Sequence, residues 1–184
     1  MSFKKIWNFI WHEDSVWSWI VNIILAFILV KFIIYPGIGL AMGTSYPIVA
    51  VVSGSMEHNE DFDAWWENSG KWYEEKGFVK ERFTEFPFKN GFNKGDIMLL
   101  KGVKPKDINI GDVVVYQTEN YKNPIIHRVV AIGNQSENFI TKGDNNFVED
   151  PAKVKAKQIE KTGKAVARIP WLGWVKIIFT EVFN

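Results

Sequence analysis

The sequence predicts a mostly β protein: a compact antiparallel β domain behind an N-terminal transmembrane helix, with a helical insertion between its strands. Three observations predict this. Val16–Tyr35 is a mostly apolar run of about 20 residues, which as a helix spans roughly 30 Å, the thickness of a bilayer core. From Lys94 to Ile169, short runs rich in Val and Ile alternate with Gly-Asp and Gly-Asn turns, the spacing of antiparallel strands rather than of βαβ units. From Glu57 to Lys94 the pattern changes, and within it Asp61–Lys76 is rich in Trp, Glu and Lys with its aromatics near helical spacing.

Taken in order, residues 1–14 read as a polar-aromatic tail, 15–36 as the anchor, 37–170 as the β domain with 57–94 inserted, and 171–184 as a membrane-proximal C-terminal segment. Within the anchor, Ser18 and Lys31 lie near the ends, where Lys31 snorkels to the interface. Asn22 is the expensive residue and is expected to face a partner helix. Pro36 and Gly37 are expected to end the segment. Ala41-Met42-Gly43 resembles a small-x-small cleavage site. The apolar stretch, however, is longer than the roughly 7–15 residues of a cleaved leader, and Glu13 and Asp14 precede it, so a retained anchor is expected. Lys4 and Lys5 favour a cytoplasmic N-terminus, which puts the domain outside; Lys31 pulls the other way.

Residues 46–52 read as the first strand. Asp61–Lys76 reads as an amphipathic helix whose Trp65, Trp66, Trp72 and Tyr73 either dip into the membrane interface or pack on the β domain. Further strands are expected at Asp96–Lys101, Asp112–Gln117, Pro124–Ile132, Asn138–Lys142 and Ala165–Ile169. Trp171–Phe183 is too short to span and reads as a second, shallow membrane contact.

Composition narrows the function. The chain has 184 residues, enough for one domain plus an anchor, and a formal net charge of +1, which excludes a nucleic-acid binder. Nine Trp and fourteen Phe, clustered at the ends and in the insertion, fit contact with a bilayer interface. With no cysteine, the chain has no disulfide, thiolate metal site or Cys nucleophile. The acidic residues of Gly143–Asp150 lack the spacing of an EF-hand loop, which argues against a calcium site.

The candidate chemistry sits at the end of the first strand, where Val52 runs into Ser53-Gly54-Ser55-Met56. Two hydroxyls and a residue without Cβ at a strand mouth supply a nucleophile, donors for an oxyanion and room for a substrate backbone. Alone, such a tripeptide is usually a turn. A serine nucleophile needs a base, and of the three histidines only His127 lies within a strand, on the face of Ile125, Val129 and Ala131. A carboxylate is needed to orient the imidazole, and Gly143-Asp144-Asn145-Asn146-Phe147-Val148-Glu149-Asp150 offers Asp144 and Asp150.

Ser-Gly-Ser-Met at 53–56, Gly-Asp-Ile at 95–97, Gly-Asp-Val-Val-Val at 111–115, His-Arg-Val-Val at 127–130 and Lys-Gly-Asp-Asn-Asn at 142–146 occur in this order behind an apolar anchor. Jointly they resemble type I signal peptidase, from the anchor to about Pro170 apart from the insertion. Bacterial members carry a lysine where this chain has His127, so the resemblance is to the archaeal and endoplasmic-reticulum type, which uses Ser and His. It implies Ser55 as nucleophile, His127 as general base, and Asp144 and Asp150 as essential aspartates, Asp150 pairing with His127 and Asp144 supporting the site. It also implies an oxyanion hole from the Ser55 backbone N–H and the Ser53 hydroxyl. Two departures bear on the substrate cleft: Glu57-His58-Asn59 replaces the proline that often follows Ser-Met, and the aromatic insertion is extra.

The resemblance implies a membrane-anchored serine endopeptidase that removes signal peptides from exported preproteins after small side chains, with no need of a metal or an organic cofactor. Its partners would be those preproteins, the lipid bilayer, and the export channel or accessory subunits. Its membrane would be an archaeal plasma membrane, favoured by the lean composition and short chain, or that of the endoplasmic reticulum. Two rivals stand beside it: a membrane-tethered β module that binds a partner without activity, and a serine enzyme with Lys101 or Lys142 as base.

Overall fold

A computed structural model describes residues 2–119, 121 and 123–182, the last four of these by backbone only; residues 1, 183 and 184 of the expected tail and C-terminal segment lie outside the described residues. The chain divides into two units, residues 1–41 and 42–184.

The first unit is helical. α1 (Phe3–Trp11) is followed by α2 (Val16–Leu29), whose N-cap Ser15 hydroxyl accepts from the Ser18 N–H at 3.2 Å. The helix does not stop at Pro36. A π-helical turn over Val30–Ile34 leads directly into α3 (Tyr35–Met42). The wider turn makes room for a ring that would otherwise meet the carbonyl four residues back. The result is one apolar helix, Val16–Met42, of 27 residues, long enough to cross a membrane. The helix that Asn22 faces is α1: its amide donates to the Ile10 carbonyl at 2.9 Å, and the Ser18 hydroxyl donates to the Phe9 carbonyl at 2.6 Å. Both take up carbonyls left bare at the end of α1.

The second unit is one seven-stranded sheet: β1 (Ile48–Ala50), β2 (Ile97–Lys101), β3 (Val113–Tyr116), β4 (Ile125–Ile132), β5 (Asn138–Lys142), β6 (Val154–Lys155) and β7 (Lys164–Ile169). The order is β1-β2-β7-β3-β4-β5-β6, and all neighbours are antiparallel. The expected strands are present, each within a few residues; β6 was too short to show a pattern in the sequence. The turns before β2 and β3 share one construction. In Asn93-Lys94-Gly95-Asp96 and Asn109-Ile110-Gly111-Asp112 the aspartate side chain accepts from the asparagine N–H at 2.9 Å, and the glycine takes φ of 93° and 96°. That left-handed conformation favours glycine.

β3 explains the run of valines. Val113 and Val115 enter one core with Val49, Met56, Phe92, Met98 and Leu100; Val114 and Tyr116 enter a second with Val129, Phe139, Val154 and Ile159. A strand covered on both faces reads as continuous rather than alternating hydrophobicity. Ile159 belongs to α7 (Ala156–Glu160), a short helix between β6 and β7.

The insertion settles into the domain rather than into lipid. Its helices are α4 (Phe62–Ser69), α5 (Lys71–Glu75) and α6 (Lys80–Phe83), so the single helix expected over Asp61–Lys76 is broken at Gly70. Trp65, Trp66, Tyr73 and Phe83 are buried together against Val130 of β4. Trp65→Ala should therefore lower stability by about 3–5 kcal/mol, the cost of truncating a buried aromatic. A denaturant titration measures it, and a change below about 1 kcal/mol would contradict a core position for this ring. α8 (Trp174–Val182) ends the unit, with Gly173 N–H donating to the Gly95 carbonyl at 2.8 Å.

Candidate active site

Ser55 follows β1, His127 points from β4, and Asp150 closes the loop after β5. These elements bring the three side chains into one line. The imidazole Nε2 of His127 lies 3.0 Å from Ser55 Oγ, and its Nδ1 lies 2.6 Å from Asp150 Oδ2. The same carboxylate oxygen accepts from the Thr141 hydroxyl at 2.6 Å and the Tyr116 hydroxyl at 2.9 Å. Burial alone would raise the Asp150 pKa; the hydrogen bond and charge of His127, with the two hydroxyls, outweigh it and hold the group below the ordinary carboxylate range. An ionised Asp150 retains the proton on Nδ1 and leaves the Nε2 lone pair facing the Ser55 hydroxyl.

Asp144 occupies a different environment. It is fully buried and pairs with Arg128, also fully buried, at 2.9 Å (Nε to Oδ1) and 2.6 Å (Nη2 to Oδ2). Burial pushes its pKa up, but the guanidinium charge and the hydrogen bonds from Arg128 and His58 dominate and hold the carboxyl well below its usual range. Arg128 also donates to the Pro87, Phe88 and Gly111 carbonyls, so it ties insertion, turn and loop together.

The loop that carries both aspartates is pressed against the serine. Asn145 donates its backbone N–H to the Ser55 carbonyl at 2.8 Å and its side-chain amide to the Gly54 carbonyl at 3.1 Å. A Cβ on Gly143 would stand 2.7 Å from the Ser55 carbonyl oxygen and 2.9 Å from His127 Nε2, so only glycine fits between them. Ser53 Oγ is 3.4 Å from Ser55 Oγ and exposed. A shallow groove lies beside Ser55, lined by Ala50, Val52, Met56, Phe92, Pro124 and Ile126 among others.

Lys142 is buried under the loop, with Nζ donating to the Gly143 and Asp144 carbonyls at 3.0 and 3.2 Å. Burial, more than its charged neighbours, lowers its pKa to about 8. Its ammonium is spent on the loop, and the hydrogen bonds of Ser55 Oγ run to His127 and Ser53. Sequence reasoning missed Tyr116, Thr141, His58 and Tyr73, whose contacts with the two aspartates cross 9 to 86 positions of chain.

No family model matches the chain. The signal peptidase complex catalytic subunit SEC11 of Scheffersomyces stipitis does: it is 30% identical over 158 residues, covering 82% of this chain and 75% of that protein. The chain belongs to the type I signal peptidase family. The catalytic subunit SEC11C of Homo sapiens is 30% identical over 156 residues, 80% of this chain and 65% of that protein. The sec11 subunit of Pyrenophora teres f. teres is 29% identical over 159 residues, 82% and 73% of the two chains. Type I signal peptidase membership agrees with the antiparallel sheet and the long apolar helix ahead of it.

Proposed function

We propose that this chain is a membrane-anchored serine endopeptidase that removes signal peptides from exported preproteins, with Ser55 as nucleophile, His127 as general base and Asp150 as the carboxylate that orients it. One observation carries the reading: Ser55 Oγ, His127 Nε2 and Nδ1, and Asp150 Oδ2 are joined by contacts of 3.0 and 2.6 Å. A tethered module without activity has no need of that convergence. Membership of a family whose named relatives are catalytic subunits supports the same conclusion.

In the proposed reaction His127 takes the Ser55 proton as Oγ attacks the scissile carbonyl, then passes it to the leaving amine. The signal peptide is left as an ester on Ser55, and water attacks that ester with the same base. The Ser55 backbone N–H has no acceptor among the described residues, and with the Ser53 hydroxyl it is the proposed oxyanion hole. Losing one such donor costs about 2.7–4 kcal/mol of transition-state stabilisation. Among the described residues β1 is an edge strand paired only with β2, and an extended substrate adds to its other side, with small side chains entering the shallow groove beside Ser55. Asp144 supports the loop through Arg128.

Further proposals concern the surroundings. Exposed Trp171, Leu172, Val175 and Ile178 at the C-terminal end are offered to the bilayer surface. Accessory subunits are expected partners, since the named relatives are subunits of a signal peptidase complex; an export channel is the further partner that the proposed reaction implies. The archaeal plasma membrane remains the reading from composition; the relatives named here are eukaryotic and lend it no support.

The full chain in lipid, incubated with a preprotein, should release a mature chain whose new N-terminus follows a small residue, as read by mass spectrometry. An intact preprotein after prolonged incubation with folded enzyme would contradict the proposal.

A further inference from the structure

The insertion makes a polar connection to the site. The Asp144 carboxylate accepts four hydrogen bonds, two on each oxygen. Two come from Arg128; the others come from the Tyr73 hydroxyl, to Oδ1 at 2.8 Å, and from His58 Nε2, to Oδ2 at 3.1 Å. Both donors belong to residues 57–94. His58 stacks on Trp65 with ring centroids 3.7 Å apart and planes 6° apart, and Tyr73 is walled by Trp65, Trp66 and Phe83.

Packing alone does not account for these two residues. Phenylalanine would fill the Tyr73 site, and an apolar side chain would lie on Trp65 as well as His58 does. Instead His58 Nδ1 is buried with no partner, a cost that the Nε2 contact offsets. Arg128, bidentate, already balances the Asp144 charge. The two extra donors fix the carboxylate's orientation as well. That orientation matters because the neighbours of Asp144 touch the reacting groups. Gly143 packs on the Ser55 carbonyl and His127 Nε2, and Asn145 N–H holds the same Ser55 carbonyl.

We propose that His58 and Tyr73 are positioning residues for the peptidase reaction: through Asp144 they hold Gly143–Asn145 in place, and with it the Ser55–His127 contact. The inference rests on the roles proposed above for Ser55 and His127. It gives the insertion a part in turnover, where its aromatic rings alone would serve stability.

The test uses the full chain with a short peptide spanning a cleavage site, and reads kcat and KM per folded molecule beside the thermal midpoint. Tyr73→Phe removes one oxygen and His58→Leu one imidazole. Each should lower kcat about tenfold, the scale of a sub-ångström misplacement, while KM stays within about twofold. His58→Gln restores an N–H toward Asp144 and should recover most of kcat. Unchanged kcat in both deletion variants, with a fall only in thermal midpoint, would overturn the proposal. Failure of the underlying reading looks different: there wild type does not cleave, or Ser55→Ala does.

Discussion

Ser55→Ala should abolish preprotein cleavage, with a loss on the order of 10⁶-fold in kcat, the size seen when a serine hydrolase loses its nucleophile. The change removes one oxygen just after β1 and its two hydrogen bonds, the 3.0 Å contact with His127 Nε2 and the longer 3.4 Å contact with the exposed Ser53 Oγ. Such a bond contributes about 0.5–1.5 kcal/mol net. The backbone contacts that hold this stretch are untouched: Asn145 N–H to the Ser55 carbonyl and Phe92 N–H to the Met56 carbonyl. The variant should therefore fold, stay in the membrane and bind substrate without cutting it. Wild-type turnover would remove Ser55 from the mechanism.

Asp150→Asn should cost about four orders of magnitude in kcat, as expected when an amide replaces a carboxylate that orients a catalytic histidine. Asp150 Oδ2 is shared by His127 Nδ1, Thr141 and Tyr116, and both hydroxyls can turn to accept as well as donate. An amide nitrogen at that point would take an acceptor from the ring, drive the proton to Nε2 and present Ser55 with a donor. Asp144→Asn should behave differently. It leaves buried Arg128 without its counter-charge, a loss of about 3–5 kcal/mol when one partner of a buried pair is removed. Its main effect belongs in the thermal midpoint, with a smaller loss of turnover per folded molecule. The sequence alone suggested that asparagine would substitute easily there, as in a turn held by backbone bonds. The carboxylate instead accepts from Arg128, Tyr73 and His58, and the turn-type contacts come from Asn145. Single-turnover cleavage and thermal midpoints compare the two variants. Full activity in Asp150→Asn beside dead but stable Asp144→Asn would reverse the assignment.

These two aspartates also mark how far the sequence could be read. Both lie in one loop six positions apart, and local pattern gives no reason to prefer either. What separates them is the company supplied by distant elements: Tyr116 and Thr141 for Asp150, Arg128 and the insertion for Asp144. The strands were legible because Asn-x-Gly-Asp turns and runs such as Val113–Tyr116 report local backbone preference and burial directly. The insertion was not. Aromatic residues at helical spacing look the same whether their face meets lipid or a protein core, and only the packing of Trp65 and Trp66 on Val130 decides it. Likewise Pro36 signals a helix end by its local chemistry, while the π-helical turn at Val30–Ile34 that accommodates it leaves no mark in composition.

The proposed acyl-enzyme is the most direct point of test. Full chain mixed with excess preprotein and quenched in acid before the steady state should contain a population heavier by the mass of the signal peptide less one water, and peptide mapping should place the adduct on Ser55. The same adduct on another residue, or its undiminished appearance in Ser55→Ala, would contradict the account.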